Sequence, residues 1–331
     1  MVEGIIRAGQ FQTDRAEIES HNGVVLDMSA IFSSCEIYED IYGNCISAKI
    51  KISTTQDLID AIPIIGQEKV RLSFNHTGAS RLPINIEMLV YRISDFSLSD
   101  LITSFTLELV TPEEITNYET RISKFYEGTA TDISQLIFNE LGSSKSLLKQ
   151  GSEDQQKLIV PGMTPFKAIN WLSSKAYADA AADFMFWENV QGYNLASLSS
   201  LMNQSSQIEY TYGVSNTSLD ANTEDKKIIS FNFVSHFNVL DNILNGMYNT
   251  RALKVDMINK NVEEINYNIY NQYRETDKLD SNPLFDISGQ GRQFQTENLF
   301  VLPENKELTY NHDETFLKRK SQLQLLKNLK L

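Results

Sequence analysis

Residues 45–52 read Cys45-Ile46-Ser47-Ala48-Lys49-Ile50-Lys51-Ile52, with Ile46, Ala48, Ile50 and Ile52 alternating against Cys45, Ser47, Lys49 and Lys51. Successive side chains of a strand point to opposite faces, so this period of two defines a strand with one buried and one solvated face. Upstream, Ile31 to Tyr38 carries Ile31, Cys35 and Ile37 on one face and Phe32 and Tyr38 on the other. Tyr42-Gly43-Asn44 between the two runs supplies turn chemistry, so they are expected to form a hairpin.

Working outward, a short helix is expected after Thr54 or Thr55, with Leu58, Ile59 and Ile62 inside and Pro63 ending it. Three further strands follow: Val70, Leu72 and Phe74; Ile84 to Ile93; and Phe105, Leu107 and Leu109. At least five strands within residues 24–110 predict a compact, barrel-like β domain. The strands around Ile46–Ile52 and Ile84–Ile93 are expected to line either the core or subunit contacts.

At Thr111-Pro112-Glu113-Glu114 the period changes, and the spacing is that of a capping box opening a helix to about Phe125. A second helix is expected over Asp132–Leu141, with Ile133, Leu136, Ile137 and Leu141 in one stripe. Thr164-Pro165 opens a third, with Phe166, Ile169, Trp171 and Leu172 inside, and Phe184–Trp187 with Tyr193–Leu195 reads as a hairpin across Gln191-Gly192. Strands return at Ile208–Tyr212 and Ile228–Phe233, joined by a polar linker over Ser215–Asp225. Residues 238–247 read as a helix ending at Gly246, residues 251–269 as paired strands around Asn259-Lys260-Asn261, and residues 315–331 as a closing helix with Leu323, Leu326 and Leu329 in its stripe.

The chain has 331 residues, 41% of them hydrophobic and 22% charged, the composition of a folded globular protein long enough for two or three domains. No run approaches the ~20 apolar residues of a membrane span, and Met1–Phe11 lacks the apolar core of a signal peptide. Cys35 and Cys45 are the two cysteines, too few for a disulfide framework, and are expected as buried free thiols. A net charge of −14 argues against gripping nucleic acid, which needs a clustered cationic surface. The excess of acids over bases is largest in residues 1–110, whereas the last seventeen residues carry Lys318, Arg319, Lys320, Lys327 and Lys330 without an acid, the pattern of a solvated helix face.

Catalytic patterns are missing. His21, His76, His236 and His312 stand alone, with no pair at metal-ligand spacing. Gly289 and Gly291 match no phosphate-binding loop, and no serine sits in a GxSxG turn. Glu113-Glu114 and Glu263-Glu264 are sequence neighbours pointing to different sides of an element, so neither is a glycosidase pair. Asn75-His76-Thr77 is a glycosylation sequon by letters alone. Phe184, Phe186, Trp187 and Tyr193 could form a saccharide platform, but their alternation favours the core. No catalytic residue, metal or cofactor is expected.

Five segments in consistent order carry a resemblance: Phe105–Glu113; Gly162–Leu172; Phe184–Asn189 with Gly192-Tyr193; Asn245-Gly246-Met247-Tyr248; and Arg319-Lys320-Ser321-Gln322-Leu323. Over residues 24–331 the chain resembles the baseplate hub protein of contractile-tailed bacteriophages. The resemblance implies an α+β chain with two tube-type antiparallel β-barrel domains and inserted α+β material. It assigns residues 1–110 to the first tube barrel, 111–205 to an α+β domain, 206–240 with 312–331 to the second tube barrel, and 241–311 to an insertion packing with the α+β domain. In that family further strands follow the Ser-Gln-Leu helix, whereas this chain ends at Leu331, so the second barrel is expected to be incomplete. The resemblance further implies a non-enzymatic homotrimeric ring that adapts the sixfold tail tube to the threefold spike. Its implied partners are the cell-puncturing spike, tail tube or tube-initiator proteins, baseplate wedge proteins and the tape measure protein. DNA would pass the channel without specific binding, repelled by acids of residues 1–110. The implied location is the virion tail baseplate, with assembly in the host cytoplasm. A carbohydrate- or receptor-binding tail protein is the rival reading, and a cryptic hydrolase ranks below both.

Overall fold

A computed structural model describes residues 12–54, 64–75, 83–99, 102–178, 181–206, 208–212, 227–228, 230–232, 238–257, 259–272, 297–303 and 312–327. Two compact units divide the chain. The first comprises residues 1–119, 187–193 and 206–230, and the second comprises 120–186, 194–205 and 231–331. Thr54 ends a strand, and the rest of the expected helix, residues 55–62, the linker at 215–225, the glycines at 289 and 291, and His76 and His236 lie outside the described residues.

The first unit is built on seven strands: β1 (Gln12–Glu19), β2 (Val25–Asp27), β3 (Phe32–Tyr38), β4 (Ser47–Thr54), β5 (Lys69–Asn75), β6 (Ile84–Leu98) and β7 (Thr103–Val110). They form one antiparallel sheet in the order β2-β1-β5-β6-β7-β4-β3. The two edge strands are sequence neighbours, and this fixes the curvature. A flat seven-stranded sheet would hold its edges about 29 Å apart, but the five Cα steps from Asp27 to Phe32 reach at most about 19 Å. The sheet therefore curls into a half-barrel. Its corner is stitched to both sides: the Met28 N–H donates to the Ala16 carbonyl of β1 (2.7 Å), and the Ser53 N–H of β4 donates to the Ile31 carbonyl (3.0 Å).

The expected hairpin of residues 31–52 is present, with Cys35 opposite Ile50 and Ile37 opposite Ala48. Phe32 corrects the face assignment. A bulge between Phe32 and Ser34 shifts the register, so Phe32 lies opposite Ile52 and packs on the core with Cys35 and Ile37. The inside of the half-barrel is filled by Ala16, Ile18, Met28, Ile46, Ala48, Ile50, Ile52, Val70, Leu72, Met88, Val90, Phe105, Leu107 and Leu109. Ile46–Ile52 and the inward residues of β6 are thus core.

The helix opened by Thr111-Pro112, α1 (Pro112–Glu119), is shorter than its sequence suggested. Ile122 instead bridges to Met163, and Phe125 begins a strand. The capping box does not form either. The Thr111 N–H donates to the Ile46 carbonyl (3.3 Å), its hydroxyl donates to Glu188 (2.7 Å), and Glu114 bonds the Cys45 thiol and the Tyr118 hydroxyl.

The second unit begins with β8 (Phe125–Gly128), α2 (Ala130–Leu141), β9 (Leu147–Lys149), β10 (Gln156–Ile159) and α3 (Pro165–Ser173). Thr129 caps α2 by accepting from the Asp132 N–H, and Gly142 closes it at φ 72°, a left-handed position glycine adopts freely. Ile133, Ile137, Phe138 and Leu141 are inside, while Leu136 faces solvent. Helix α3 buries Phe166, Ile169 and Leu172, and Trp171 is half-buried under the Lys175 ammonium, 5.2 Å from the ring. The aromatic hairpin is β11 (Phe184–Asn189) with β12 (Gly192–Ser197), followed by α4 (Leu198–Met202).

Of the strands expected at 208–212 and 228–233, the structure has only the short parallel pair β13 (Thr211–Tyr212) and β14 (Lys227–Ile228) among the described residues, and residues 208–210 and 230–232 are not in strands. Helix α5 (Val239–Leu244) precedes β15 (Asn249–Asp256) and β16 (Asn261–Asn268), which pair as read from the sequence. After α6 (Ile269–Gln272) comes a strand with no sequence forecast, β17 (Glu297–Pro303), parallel to β15. The closing helix α7 (His312–Lys327) buries Leu317, Ser321, Gln322 and Gln324, while Leu323 is half-buried. Among its described side chains two inner contacts are polar: the Ser321 hydroxyl donates to the Met247 carbonyl (2.7 Å) and the Gln324 amide to Asn242 (2.9 Å), while the Leu326 side chain and Leu329 lie outside the described residues. No helix among the described residues is long and apolar enough to cross a membrane.

Candidate interaction surface

The first unit carries two built features. One is a buried polar corner where β4 begins and α1 starts. Glu188, 2% exposed, accepts from the Ile46 N–H (2.9 Å) and the Thr111 hydroxyl (2.7 Å) through the same oxygen. Beside it the Cys45 thiol lies 3.3 Å from the Tyr193 hydroxyl. Burial pushes the Cys45 thiol up, with Glu188 and Glu114 adding to the effect, and the hydroxyls of Thr111 and Tyr193 oppose it. Burial likewise raises Tyr193. The corner therefore holds a protonated thiol and phenol at neutral pH, arranged as struts that fix the β11–β12 turn.

The other feature is the far half of β6. Val90 is the last residue of β6 bonded on the β5 side, through Gln67 and Glu68. From there to Leu98, β6 pairs with β7 alone among the described residues. This arm carries Tyr91, Phe96, Leu98 and Ile102 in solvent, with Leu98 73% exposed. Phe96 stacks on Phe105 with ring centroids 6.4 Å apart. Register shifts between Val90 and Arg92 and between Ser94 and Ser97, with Asp95 at φ 52°, interrupt the open edge, a device that limits indiscriminate strand pairing.

The arm is held by Glu108, 3% exposed on β7, which receives Tyr91 (2.8 Å), Arg92 (2.6 Å) and Ser94 (2.7 Å). Burial would raise this carboxyl, but the bonds from Ser94, Tyr91 and Arg92 prevail and hold it down to about 2. A carboxyl depressed below its ordinary 4.5 contributes stability above that value and loses it as pH falls toward 2. The stability gap between wild type and Glu108→Gln is therefore expected to be full above pH 4.5 and to shrink between pH 4.5 and 2, read by urea unfolding across that range. A gap independent of pH would refute the assignment.

The residues singled out from the sequence fall elsewhere. Cys35 and Cys45 are free thiols, and burial raises Cys35 to about 11. Neither presents a thiolate nucleophile at neutral pH. His21 is exposed in a turn, and His312 opens α7. Glu263 and Glu264 pair across the sheet with Lys254 (3.7 Å) and Arg251 (3.8 Å). Phe184, Phe186 and Tyr193 are buried and Trp187 half-buried; Phe186 packs on Phe166 (5.4 Å) and Phe138 (6.4 Å). These rings are core, as their alternation indicated. No group of three or more His, Cys, Asp or Glu side chains arranged for a metal occurs among the described residues.

No protein-family model matches the sequence, and no curated protein is detectably similar to it. Solved structures do match. The 43 kDa tail protein of prophage MuSo2 from Shewanella oneidensis aligns with a TM-score of 0.51 at 10% identity, covering 96% of this chain and 80% of that one. The tail protein from Neisseria meningitidis MC58 aligns with a TM-score of 0.52 at 10% identity, covering 95% and 76%. The chain has the fold of prophage tail proteins. At 10% identity the likeness shows the fold alone, and it agrees with the class of fold that the five sequence segments implied.

Proposed function

We propose that this chain is a non-catalytic baseplate hub of a phage-type tail: a homotrimeric ring that joins the sixfold tube to the threefold spike and leaves a passage for DNA. The observation that carries the reading is the curled seven-stranded sheet with its solidly packed interior. Close-packed side chains leave no lumen, so a conduit would run between copies, bounded by the outer faces of their sheets. On that face three arginines are already engaged by acids. Arg15 pairs with Glu17 (2.6 Å), Arg71 with Glu19 (2.5 Å) and Glu87 (3.1 Å), and Arg92 with Glu108. Engaged guanidinium groups and a net charge of −14 suit a wall that DNA passes without being gripped.

The half-barrel supports residues 1–110 as the first tube domain. The assignments of 111–205, of 206–240 with 312–331, and of 241–311 rest on the family resemblance. The spike, the tube or its initiator, wedge proteins and the tape measure protein are the partners this reading requires, at the virion tail baseplate after assembly in the host cytoplasm.

The test is the mass of the purified chain in solution, alone and mixed with its spike. A particle of three chains, ring-shaped by microscopy, is the expected result. A monomer under both conditions that binds saccharide would replace the hub with the carbohydrate- or receptor-binding reading.

A further inference from the structure

A cavity of about 410 Å³ opens beside the buried corner of the first unit, lined by Asn44, Cys45, Ser47, Tyr91, Glu114 and Ile115 among others. Its size falls within the usual range for small-ligand pockets, about 300–1,000 Å³. We propose that this pocket seats one basic side chain, a lysine ammonium or arginine guanidinium, from a partner polypeptide. The inference stands on the pocket alone and holds whether or not the chain is a hub.

Three observations carry it. The ionisable wall is acidic: Glu114 is half-buried in the lining, and Glu188 lies behind it, bonded to Ile46 and Thr111. The groups facing Glu114 are the Cys45 thiol, the Tyr118 hydroxyl and the Glu188 carboxylate, two neutral and one negative. Glu113, the next acid of α1, adds to the negative field at Tyr193. The nearby guanidinium, Arg92, is held by Glu108 at 2.6 Å. Lastly, the lining includes the half-exposed Tyr91, whose ring already has the Arg92 guanidinium 6.0 Å from its centroid. Burial, and then Glu188, raise the Glu114 carboxyl above its ordinary value. A cation arriving in the pocket offsets both costs, whereas an anion adds to them.

The test follows the backbone amide signals of Asn44, Cys45, Ser47 and Ile115 in the full chain during titration with n-butylguanidinium, n-butylammonium and neutral n-butanol. Saturable shifts with both cations, at least tenfold weaker with butanol and at least tenfold weaker in Glu114→Gln, are expected. Cation binding to wild type should also weaken as pH falls and Glu114 takes up its proton, an arm that needs no variant. No saturable shift, equal binding of butanol, or binding indifferent to pH would overturn the proposal. A last arm compares an Ala-Arg-Ala peptide with spermidine. Comparable or tighter binding of the peptide supports a polypeptide source, and spermidine binding tenfold tighter would overturn it.

Discussion

Leu107→Ala is expected to lower the stability of the first unit by about 2–5 kcal/mol. Leu107 is fully buried on β7, with Ile50 of β4 on one side and Ile93 of β6 on the other. Strands bonded on both sides cannot close over a missing isobutyl group without breaking register, so the cavity remains and its cost is felt in full. Urea unfolding of the full chain, followed by a probe in the first unit, would measure it. Leu98→Ala is the matched control. That leucine is 73% exposed at the end of the β6 arm, and its loss should stay within about 0.5 kcal/mol. Similar costs at the two sites would mean that the interior of the half-barrel is not packed as described.

Arg319→Ala is expected to cost the second unit about 3 kcal/mol, because it strips two carbonyls of their donor at about 1–3 kcal/mol each and removes a positive charge that favours the buried Asp183 carboxylate. The Arg319 guanidinium donates to the carbonyls of Ser173 (3.0 Å) and Ala182 (3.1 Å), while the Ala182 N–H donates to Gln322 one turn along α7 (3.3 Å). Burial lowers Arg319 to about 10 against the pull of Asp183. Asp183 is fully buried; one of its oxygens accepts from the Ser199 N–H and hydroxyl, and the other has no hydrogen-bond partner. Burial raises its carboxyl. If the charges are coupled, Asp183→Asn in the Arg319→Ala background should recover part of the loss in a double-mutant cycle. Additive losses would instead assign the cost to the two carbonyl bonds alone.

The half-barrel was legible wherever one face of a strand is continuously apolar. Ile46, Ala48, Ile50 and Ile52 keep strict alternation, and the structure buries all four. Strand β1 escaped because it sends only Ala16 and Ile18 inward among Asp14, Arg15, Glu17 and Glu19, too short a pattern to stand out. Strand β17 was missed although Leu299-Phe300-Val301-Leu302 is a short apolar run, because residues 271–314 around it are low in apolar content; it pairs in parallel with β15. The buried polar side chains of α7 escaped for a different reason. Ser321, Gln322 and Gln324 are buried by hydrogen bonds to partners 74 to 140 residues away, and no local period encodes such partners. The same holds for the surfaces. Glu188 meets Ile46 across 142 residues, and the pocket joins Cys45, Tyr91 and Glu114 from three separate elements. The resemblance carried by five segments supplied the class of fold, but not which side chains meet.

The corner at Met28–Ile31 also bears on how the chain reaches its fold. β2 and β3 each pair with a near neighbour, β1 and β4, but the sheet is complete only when β1 has found β5 and β4 has found β7, partners some fifty residues apart. Pairings so distant must meet the entropy of loop closure before any contact rewards it, which places the half-barrel among the slower folders, on the millisecond-to-second scale. During that search both sheet edges are open to strands of other nascent chains. The four-residue corner joins the two local hairpins, so the search that remains is for β5, β6 and β7 to fill the span between β1 and β4.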